Sequence, residues 1–250
     1  MTATYQMTVS PDFSPKRMPG WFIFNTWLQK AIAASVHLEL YPDFASQRQA
    51  IAADRIDIIY ANPFDAAMLV RDKGFVPVCR AHGHADECCV VVPAGATAQT
   101  VEDLRPGSRL ACTDDPDVRL IGMILLEPAD LGAQNLEITS VGSYPLVAKA
   151  LLDGRADVGF FLADAFDDLS RPVREQLRPL VRSEIDDIRH VLLAGPRLAA
   201  LHEAIGTALL GMADDPNGRR VLDELGFSAW ESVSAEDTEF MIDLMDTLKA

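Results

Sequence analysis

Basic residues are scarce in this sequence, which has 22 Lys and Arg side chains against 37 Asp and Glu side chains in 250 residues. The formal net charge is −15 at pH 7. Non-specific binding to nucleic acid or to an anionic membrane surface requires a basic patch. The composition therefore argues against nucleic acid as a partner.

Long apolar runs are absent as well. No stretch approaches the roughly 18–20 residues that a membrane helix requires, so we expect no membrane insertion and a soluble protein. The first thirty residues lack the basic start, apolar core and cleavage site of a signal peptide, and Thr4–Val9 has the pattern of a strand. We therefore expect a cytoplasmic protein if the sequence is complete, and a periplasmic one if a signal peptide has been removed.

Cysteine is too rare for a disulfide scaffold, with four residues in the whole chain. Cys88 and Cys89 are neighbours whose side chains would point to opposite faces of a strand. We expect reduced, buried thiols at all four positions.

Apolar residues make up 49% of the sequence, and their spacing alternates between two patterns. Short apolar runs predict strands at Thr4–Val9, Val36–Leu40, Ile56–Tyr60, Val76–Arg80, Cys88–Val92, Arg109–Cys112, Leu136–Val141, Val158–Phe161 and His190–Leu193. Three- and four-residue spacing predicts helices at Trp21–Ser35, Pro63–Asp72, Val118–Leu126, Pro145–Leu152, Leu198–Met212 and Glu236–Lys249. This alternation indicates an α/β fold with mostly parallel sheets.

Three predicted helices begin with the same construction soon after a strand: Asn62-Pro63, Asp115-Pro116 and Tyr144-Pro145. Proline at the first helical position gives up only an N–H that has no partner in the helix. Such helix starts point N–H groups toward the edge where open α/β sheets hold ligands. We expect the three ends to line one ligand site; the alternative is that proline only starts the helices.

Three segments carry a family resemblance, in this order and spacing: Asp57–Ala67 (DIIYANPFDAA), Val101–Gly107 (VEDLRPG) and Ala148–Val158 (AKALLDGRADV). They resemble the PhnD-like solute-binding proteins for phosphate, phosphite and phosphonate that serve ABC transporters, a branch of the type II periplasmic binding proteins. The resemblance covers nearly the whole chain. It implies two α/β lobes joined by two hinge strands, with a small ligand clamped in the interlobe cleft.

The same resemblance implies how the chain divides between the lobes. The hinge strands would lie near Cys88–Val92 and His190–Leu193. Lobe one would then comprise residues 1–88 and 190–250, and lobe two, inserted into it, residues 89–189.

The resemblance also implies which residues contact the ligand. Tyr60 and Asn62 match one family contact region, Asp164 matches an acidic position, and Tyr144 stands where the family has histidine. The full set of expected ligand-binding residues is Phe44, Tyr60, Asn62, Glu87, Asp115, Val118, Arg119, Tyr144, Asp164, Arg189 and His190.

One departure from the family bears on the ligand. Many members carry a Ser-Thr-Ser-Gly anion cradle at a helix start, where this chain reads Asp115-Pro-Asp-Val-Arg119. Carboxylates at Asp115 and Asp117 would repel phosphoryl oxygens, so we do not expect tight phosphonate binding. Arg119 and Arg189 could receive an anionic group or could be ordinary salt-bridge partners. An amine, a zwitterion and a heavily hydrated polar ligand all remain open.

The segment His82-Gly-His84-Ala-Asp-Glu-Cys88-Cys89 has a composition that zinc or copper would accept, but its spacing matches no standard motif. His82 and His84 are thus weak metal candidates, and we expect no metal and no cofactor. The sequence has no nucleophile elbow, zincin motif, P-loop or dinucleotide fingerprint.

We therefore interpret the chain as a non-catalytic binding protein for a small polar molecule, with a transporter or sensor protein as its partner. Two alternatives remain. One is an intracellular enzyme on the same fold, like relatives in menaquinone and thiamine-pyrimidine biosynthesis. The other is an interaction or sensor module that has lost its ligand.

Overall fold

The computed structural model describes residues 4–248. The strands are β1 (Thr4–Val9), β2 (Ser35–Leu38), β3 (Ile58–Ala61), β4 (Val76–Ala81), β5 (Cys88–Pro93), β6 (Arg109–Cys112), β7 (Glu137–Ser140), β8 (Val158–Leu162), β9 (Leu177–Arg182), β10 (Val191–Ala194) and β11 (Trp230–Ser232). The α-helices are α1 (Met18–Ala31), α2 (Phe44–Ala52), α3 (Pro63–Lys73), α4 (Pro116–Leu125), α5 (Tyr144–Leu152), α6 (Ala163–Asp167), α7 (Arg171–Arg174), α8 (His202–Leu210), α9 (Pro216–Leu225) and α10 (Ala235–Leu248). Residues 1–3, 249 and 250 of the predicted lobe one, including the predicted helix end at Lys249, lie outside the described residues.

The helix starts predicted from Asn62 and Asp115 are confirmed. The Asn62 side chain accepts a hydrogen bond from the amide of Asp65, and proline is the first residue of α3. The Asp115 side chain accepts from the amides of Asp117 and Val118 at the start of α4. Both caps satisfy N–H groups that the helix leaves without partners.

The chain divides into two compact units, unit 1 with residues 4–85 and 187–248 and unit 2 with residues 86–186. The boundaries predicted from the sequence, 88/89 and 189/190, each lie three residues after the observed ones, 85/86 and 186/187. Of the two predicted hinge strands, β5 belongs to the sheet of unit 2 and β10 to the sheet of unit 1. Asp186, the last residue before the second crossing, has a positive φ of 59°.

Unit 1 contains a six-stranded sheet in the order β11-β4-β10-β3-β1-β2. One apolar cluster includes residues of α1, α8 and α9, among them Trp21, Leu209 and Leu222. A second cluster includes residues of α2, α3 and α10, among them Leu69 and Met241. Buried apolar side chains therefore hold the helices to the sheet.

Unit 2 contains a five-stranded sheet in the order β7-β6-β8-β5-β9. All five residues of β8 are buried. Gly122 of α4 lies so close to β8 that an added Cβ would come within 2.6 Å of the Phe160 ring. Glycine here allows the helix to approach the sheet closely.

The predicted α/β fold is confirmed, and in each of the two mixed sheets most strands run in one direction. Strands β2, β1 and β3 are parallel in unit 1, and β7, β6 and β8 are parallel in unit 2. β10 is antiparallel to both its neighbours, and so is β5. Each is the first strand after the chain crosses into its unit, so no crossover helix of that unit precedes it and sets its direction.

All four cysteines are buried and unbridged, as expected. Burial raises the pKa of the Cys79 thiol to about 12, so this thiol stays protonated at neutral pH. Across residues 4–248, no helix has both the length and the apolar character needed to cross a membrane.

Candidate functional site

In unit 1, strands β1, β3 and β4 end at the same edge of the sheet, and the antiparallel β10 begins there. Ligands of open α/β sheets bind outside this carboxyl edge. Asp12 follows β1, Asn62 follows β3, and His190 precedes β10. The topology therefore brings together residues that are far apart in sequence.

A stacked pair of rings occupies this edge. The Tyr60 ring and the His190 imidazole lie with centroids 5.1 Å apart and planes 27° apart. His190 Nε2 is 3.1 Å from both carboxylate oxygens of Asp12, whose side chain is only 2% exposed. Three more aromatic rings pack on Tyr60, with centroids 5.0 to 5.8 Å away: Trp21, Phe227 and Trp230. The predicted residues Tyr60 and His190 are therefore in contact, and Asp12, which was not predicted, contacts His190.

A partly buried ion pair lies beside the start of α3. Arg48 Nε is 2.6 Å from Asp65 Oδ1, and Arg48 Nη2 is 3.2 Å from Asp65 Oδ2. Burial raises the pKa of Asp65, and so does the nearby charge of Asp12, while Arg48 opposes the shift. The Asp65 side chain is 2% exposed, so its charge depends on Arg48 rather than on water.

The Arg48 guanidinium also lies near two aromatic rings, 5.3 Å from the Phe44 centroid and 5.0 Å from the Phe64 centroid. The amide of Asp65 donates to Asn62 Oδ1 at 2.7 Å. The predicted residues Phe44 and Asn62 therefore lie in one group, with Arg48 and Asp65 at its centre.

Several buried polar atoms near this edge have no hydrogen-bond partner within residues 4–248: Ser10 Oγ, Gln47 Oε1 and Asn62 Nδ2. The other polar atom of the Gln47 amide is bonded, since Nε2 donates to Thr8 Oγ1 and to the carbonyl of Val9. Buried polar groups of this kind are normally satisfied by ordered water or by a ligand.

Arg189 precedes His190 and lies 3.5 Å from Glu231 Oε1. Arg80 and His82 contact the same carboxylate, at 2.6 and 2.7 Å. Burial opposes ionisation of Glu231, but His82 and the arginines hold its pKa below the usual range. Glu231 is therefore a carboxylate surrounded by basic side chains.

In unit 2, the carboxyl edge of the parallel strands is built around Asp115. Tyr144, at the start of α5, donates its hydroxyl to Asp115 Oδ2 at 2.6 Å. Oδ1 of the same carboxylate accepts from the amides of Asp117 and Val118. The Tyr144 ring stacks on Phe161 with centroids 6.0 Å apart. The predicted residues Asp115, Val118 and Tyr144 are thus in direct contact or adjacent.

The structure does not place the remaining predicted residues of unit 2 in this group. Arg119 and Asp164 are exposed, on α4 and at the start of α6. The Glu87 carboxylate accepts hydrogen bonds from the Ser183 hydroxyl and from the amides of Ile185 and Asp186, so it fastens the segment that precedes the second crossing.

The two histidines considered as metal candidates have separate contacts. His82 pairs with Glu231, and the His84 ring contacts the Phe227 ring edge-on at 5.2 Å. Within residues 4–248, no three His, Cys, Asp or Glu side chains are grouped so that they could hold a metal ion.

Sequence reasoning missed Asp12, Arg48 and Asp65. Asp65 had a signal, because an acidic residue in the first turn after Asn62-Pro63 complements the helix dipole. Asp12 and Arg48 had none, because their partners lie 178 and 17 residues away.

The sequence was compared with protein-family models. The model described as "ABC transporter, phosphonate, periplasmic substrate-binding protein" matches residues 7–238. No curated protein sequence matches the chain.

The fold was compared with solved structures. PhnD1 of Prochlorococcus marinus, in complex with methylphosphonate, matches with a TM-score of 0.86 at 11% identity, over 98% of each chain. A binding protein component of an ABC phosphonate transporter from Pseudomonas aeruginosa has a TM-score of 0.82 at 15% identity, covering 100% of this chain and 86% of that one. A Xanthomonas citri protein bound to ATP has a TM-score of 0.77 at 16% identity, over 99% and 98% of the two chains.

At these identities the structural likeness establishes the fold, and the family match extends over most of the chain. The chain belongs to the family of phosphonate substrate-binding proteins of ABC transporters, with the α/β fold of the type II periplasmic binding proteins.

Proposed function

We propose that this protein is a non-catalytic solute-binding protein whose ligand is a small polar metabolite and not a phosphonate dianion, and that its partner is an ABC transporter. The family supports the binding role and the transporter. The departure from phosphonate rests on the start of α4, where the sequence carries Asp115 and Asp117.

The Asp115 carboxylate carries this proposal. Its Oδ1 accepts from the amides of Asp117 and Val118, which are among the N–H groups that an anion at this helix start would use. Its Oδ2 accepts from Tyr144, and the residue is 2% exposed. These contacts support the proposal, because the Asp115 carboxylate already accepts two amide hydrogens at this helix start, and Asp117 beside it is also buried.

Unit 1 offers a different set of contacts for a polar solute. The Tyr60–His190 pair supplies aromatic surface, and the buried atoms Ser10 Oγ, Gln47 Oε1 and Asn62 Nδ2 supply hydrogen-bonding capacity. Specific sites for small molecules combine apolar walls with a few polar groups in this way.

The experiment is a ligand-dependent thermal shift on the full chain with amino acids, betaines, small carboxylates, sulfonates, inorganic phosphate and methylphosphonate. We expect stabilisation by polar compounds with at most one net negative charge, because a ligand that binds only the folded state raises its stability. Strong stabilisation by methylphosphonate in the unmodified protein would contradict the proposal.

A matched pair of variants tests the role of Asp115. Asp115→Ser keeps a good helix cap, removes the charge and is expected to strengthen methylphosphonate binding about tenfold. Glu137→Ser removes an exposed carboxylate at the start of β7, at the opposite edge of the same sheet, and is expected to change nothing. An equal response of both variants would show that only the overall charge matters.

The non-catalytic assignment has its own test. A compound that stabilises the protein is incubated with it for hours and then analysed by mass spectrometry. Recovery of the unchanged compound is the expected result, whereas conversion would favour the enzyme interpretation, with the His190–Asp12 pair as the first candidate for proton transfer.

A further inference from the structure

Three buried side chains of unit 1, here called the polar trio, each have one polar atom without a hydrogen-bond partner within residues 4–248: Ser10 Oγ, Gln47 Oε1 and Asn62 Nδ2. Ser10 is 1% exposed, and Gln47 and Asn62 are 0% exposed. A polar atom that is buried without a partner costs free energy, so native proteins normally provide one. The polar trio therefore calls for a group that the chain itself does not supply.

The polar trio is assembled at the ends of two adjacent strands, β1 and β3. The amide of Ser10 donates to the carbonyl of Tyr60 at 2.9 Å, and Asn62 lies two residues after Tyr60. Gln47 Nε2 donates at 2.7 Å to the carbonyl of Val9, the residue before Ser10. Short hydrogen bonds thus hold all three residues at the carboxyl edge of the sheet, where α/β proteins bind ligands.

The hydrogen bonds of the two side-chain amides fix which atom of each is unpaired. Asn62 Oδ1 is the oxygen, because it accepts from the amide of Asp65 at 2.7 Å. The Gln47 atom that faces the carbonyl of Val9 is the NH2 group, because two carbonyl oxygens cannot bond to each other. Asn62 therefore offers a donor and Gln47 an acceptor, while the Ser10 hydroxyl serves as either.

The missing partner must both accept and donate hydrogen bonds. A fully ionised oxyanion only accepts, so it leaves Gln47 Oε1 without a donor. An ammonium group only donates, so it leaves Asn62 Nδ2 without an acceptor. A hydroxyl and a carboxamide each do both. Because the three atoms are enclosed by the protein, a hydroxyl, with one heavy atom, fits them better than a carboxamide, with three.

We propose that the polar trio binds a hydroxyl group of the ligand and thereby selects hydroxylated solutes over analogues that lack this group. The inference rests on the proposed solute-binding function. The ligand oxygen accepts from Asn62 Nδ2 and from the Ser10 hydroxyl, and its hydrogen is donated to Gln47 Oε1. An ordered water makes the same three bonds in the ligand-free protein and is displaced by the ligand. The stacked rings of Tyr60 and His190 offer apolar surface to the carbon skeleton.

The test uses the full chain and three pairs of probes that differ by one hydroxyl at constant charge: serine and alanine, lactate and propionate, and 1,2-propanediol and 1-propanol. Isothermal titration measures the dissociation constants. In each pair that binds, we expect the hydroxylated member to bind at least tenfold more tightly, because its analogue leaves buried polar atoms unpaired.

Two variants change the polar trio and preserve its surroundings. Ser10→Ala removes one hydroxyl, and Asn62→Asp keeps a good helix cap but replaces the NH2 donor with an acceptor. Each is expected to weaken binding of the hydroxylated probe about tenfold and to change binding of its analogue less than threefold. The controls are Ser35→Ala, at the start of β2, and Asn217→Asp, which adds the same charge on an exposed part of α9; both should change nothing.

The outcomes separate this inference from the proposed function. If Ser10→Ala fails to fold, Asn62→Asp still decides, because aspartate has the shape of asparagine. Equal binding within every pair, or unaltered affinity in both variants, would mean that ordered water alone satisfies the polar trio, and would overturn the hydroxyl site while leaving solute binding intact. Binding of compounds without a hydroxyl alone would do the same, whereas a protein that binds none of the probes and nothing from the wider panel would refute the solute-binding function itself.

Discussion

The segment that joins α2 to β3 in unit 1 and the segment that joins α5 to β8 in unit 2 have the same local structure. In each, a residue in the left-handed region follows the helix, Asp54 with a φ of 52° and Gly154 with a φ of 67°. The amide of the next residue, Arg55 or Arg155, donates to the carbonyl five residues earlier. These two copies of one turn differ in which residue has the left-handed conformation.

The aspartate that precedes the strand has the same backbone partner in both copies. Asp57 accepts from the amide of Gln6 in the neighbouring β1, and Asp157 accepts from the amide of Arg109 in the neighbouring β6. The side chain of Asp57 is 2% exposed, whereas that of Asp157 is 46% exposed. The same bond is therefore shielded from water in unit 1 and open to it in unit 2.

The strands diverge at their other ends. Tyr60 near the end of β3 and Asn62 just after it are buried among the aromatic and polar groups of the candidate site, whereas Asp164, two residues after β8, is exposed. The same turn thus precedes both strands at their amino ends, whereas the residues at their carboxyl ends differ. This division agrees with the general position of ligands on α/β sheets.

The largest expected difference between the two copies comes from removing the aspartates. Asp57→Ala should lower the free energy of unfolding by about 3 kcal/mol, because it leaves a backbone donor without its charged acceptor in a buried place. Asp157→Ala should lower it by about 1 kcal/mol, because water replaces the lost acceptor. Urea unfolding of both variants measures the difference.

The pH dependence of the Asp157 variant provides a control. The side-chain contact with Arg109 holds the pKa of Asp157 below its usual range, so the native carboxylate is stabilising above about pH 4 and this contribution is lost as pH falls. The gap between Asp157→Ala and the unmodified protein should therefore shrink in acid. Equal losses of unfolding free energy for Asp57→Ala and Asp157→Ala at pH 7 would contradict the inference that only the Asp57 bond is shielded from water.

The next effect concerns Arg48, which has no counterpart in unit 2. Arg48→Met leaves Asp65 buried without its partner and should cost about 2 kcal/mol at pH 8, less than a fully buried pair because Arg48 is 35% exposed. Burial already raises the pKa of Asp65, and losing Arg48 raises it further. The folded variant then binds a proton more readily than the unfolded chain, so its stability rises as pH falls.

Thermal unfolding of Arg48→Met between pH 5 and pH 8 checks this prediction, with Arg71→Met as an arginine control of the same helical layer. The deficit should be smallest at pH 5. A deficit that stays constant with pH would mean that lost packing on the rings of Phe44 and Phe64, and not the charge of Asp65, explains the change.

The sequence predicted those parts of the fold that are encoded locally. Asn62-Pro63 marks the start of α3, and Gly74, with a φ of 67°, marks its end. By contrast, α2 was not predicted, because its run of Ser46-Gln47-Arg48-Gln49 obscures the apolar stripe. The short edge strand Trp230–Ser232 was also missed, because three residues show no periodicity.

The candidate site was predictable only where it follows strand ends. The family resemblance pointed to Tyr60 and the predicted second hinge strand pointed to His190, and the structure stacks their rings. Asp12 joins them through a contact that spans 178 residues, which no local pattern indicates. Glu87 was expected to contact the ligand, but three hydrogen bonds engage its carboxylate within unit 2, a network that depends on the loop at residues 183–186.

A smaller effect should follow from changing the left-handed residue of unit 2. Gly154→Ala should lower the free energy of unfolding by about 1 kcal/mol, because an L-residue with a Cβ resists this conformation. No atom lies within 4 Å of the added Cβ, so the backbone alone accounts for the cost. Urea unfolding measures it, and an unchanged midpoint would show that the turn relaxes.

The smallest effect should have the opposite sign and comes from the matching position of unit 1. Asp54→Gly relieves a left-handed aspartate and should raise the free energy of unfolding by about 0.5 kcal/mol. Glycine also gains freedom in the unfolded chain, and the ion pair with Lys73 is lost, so the gain is less than the loss at Gly154. Asp54→Asn removes the same charge, tolerates the same backbone and should give no gain. If Asp54→Gly instead destabilises the protein as much as Gly154→Ala does, the ion pair with Lys73 holds this turn, and the two copies are alike only in their backbone course.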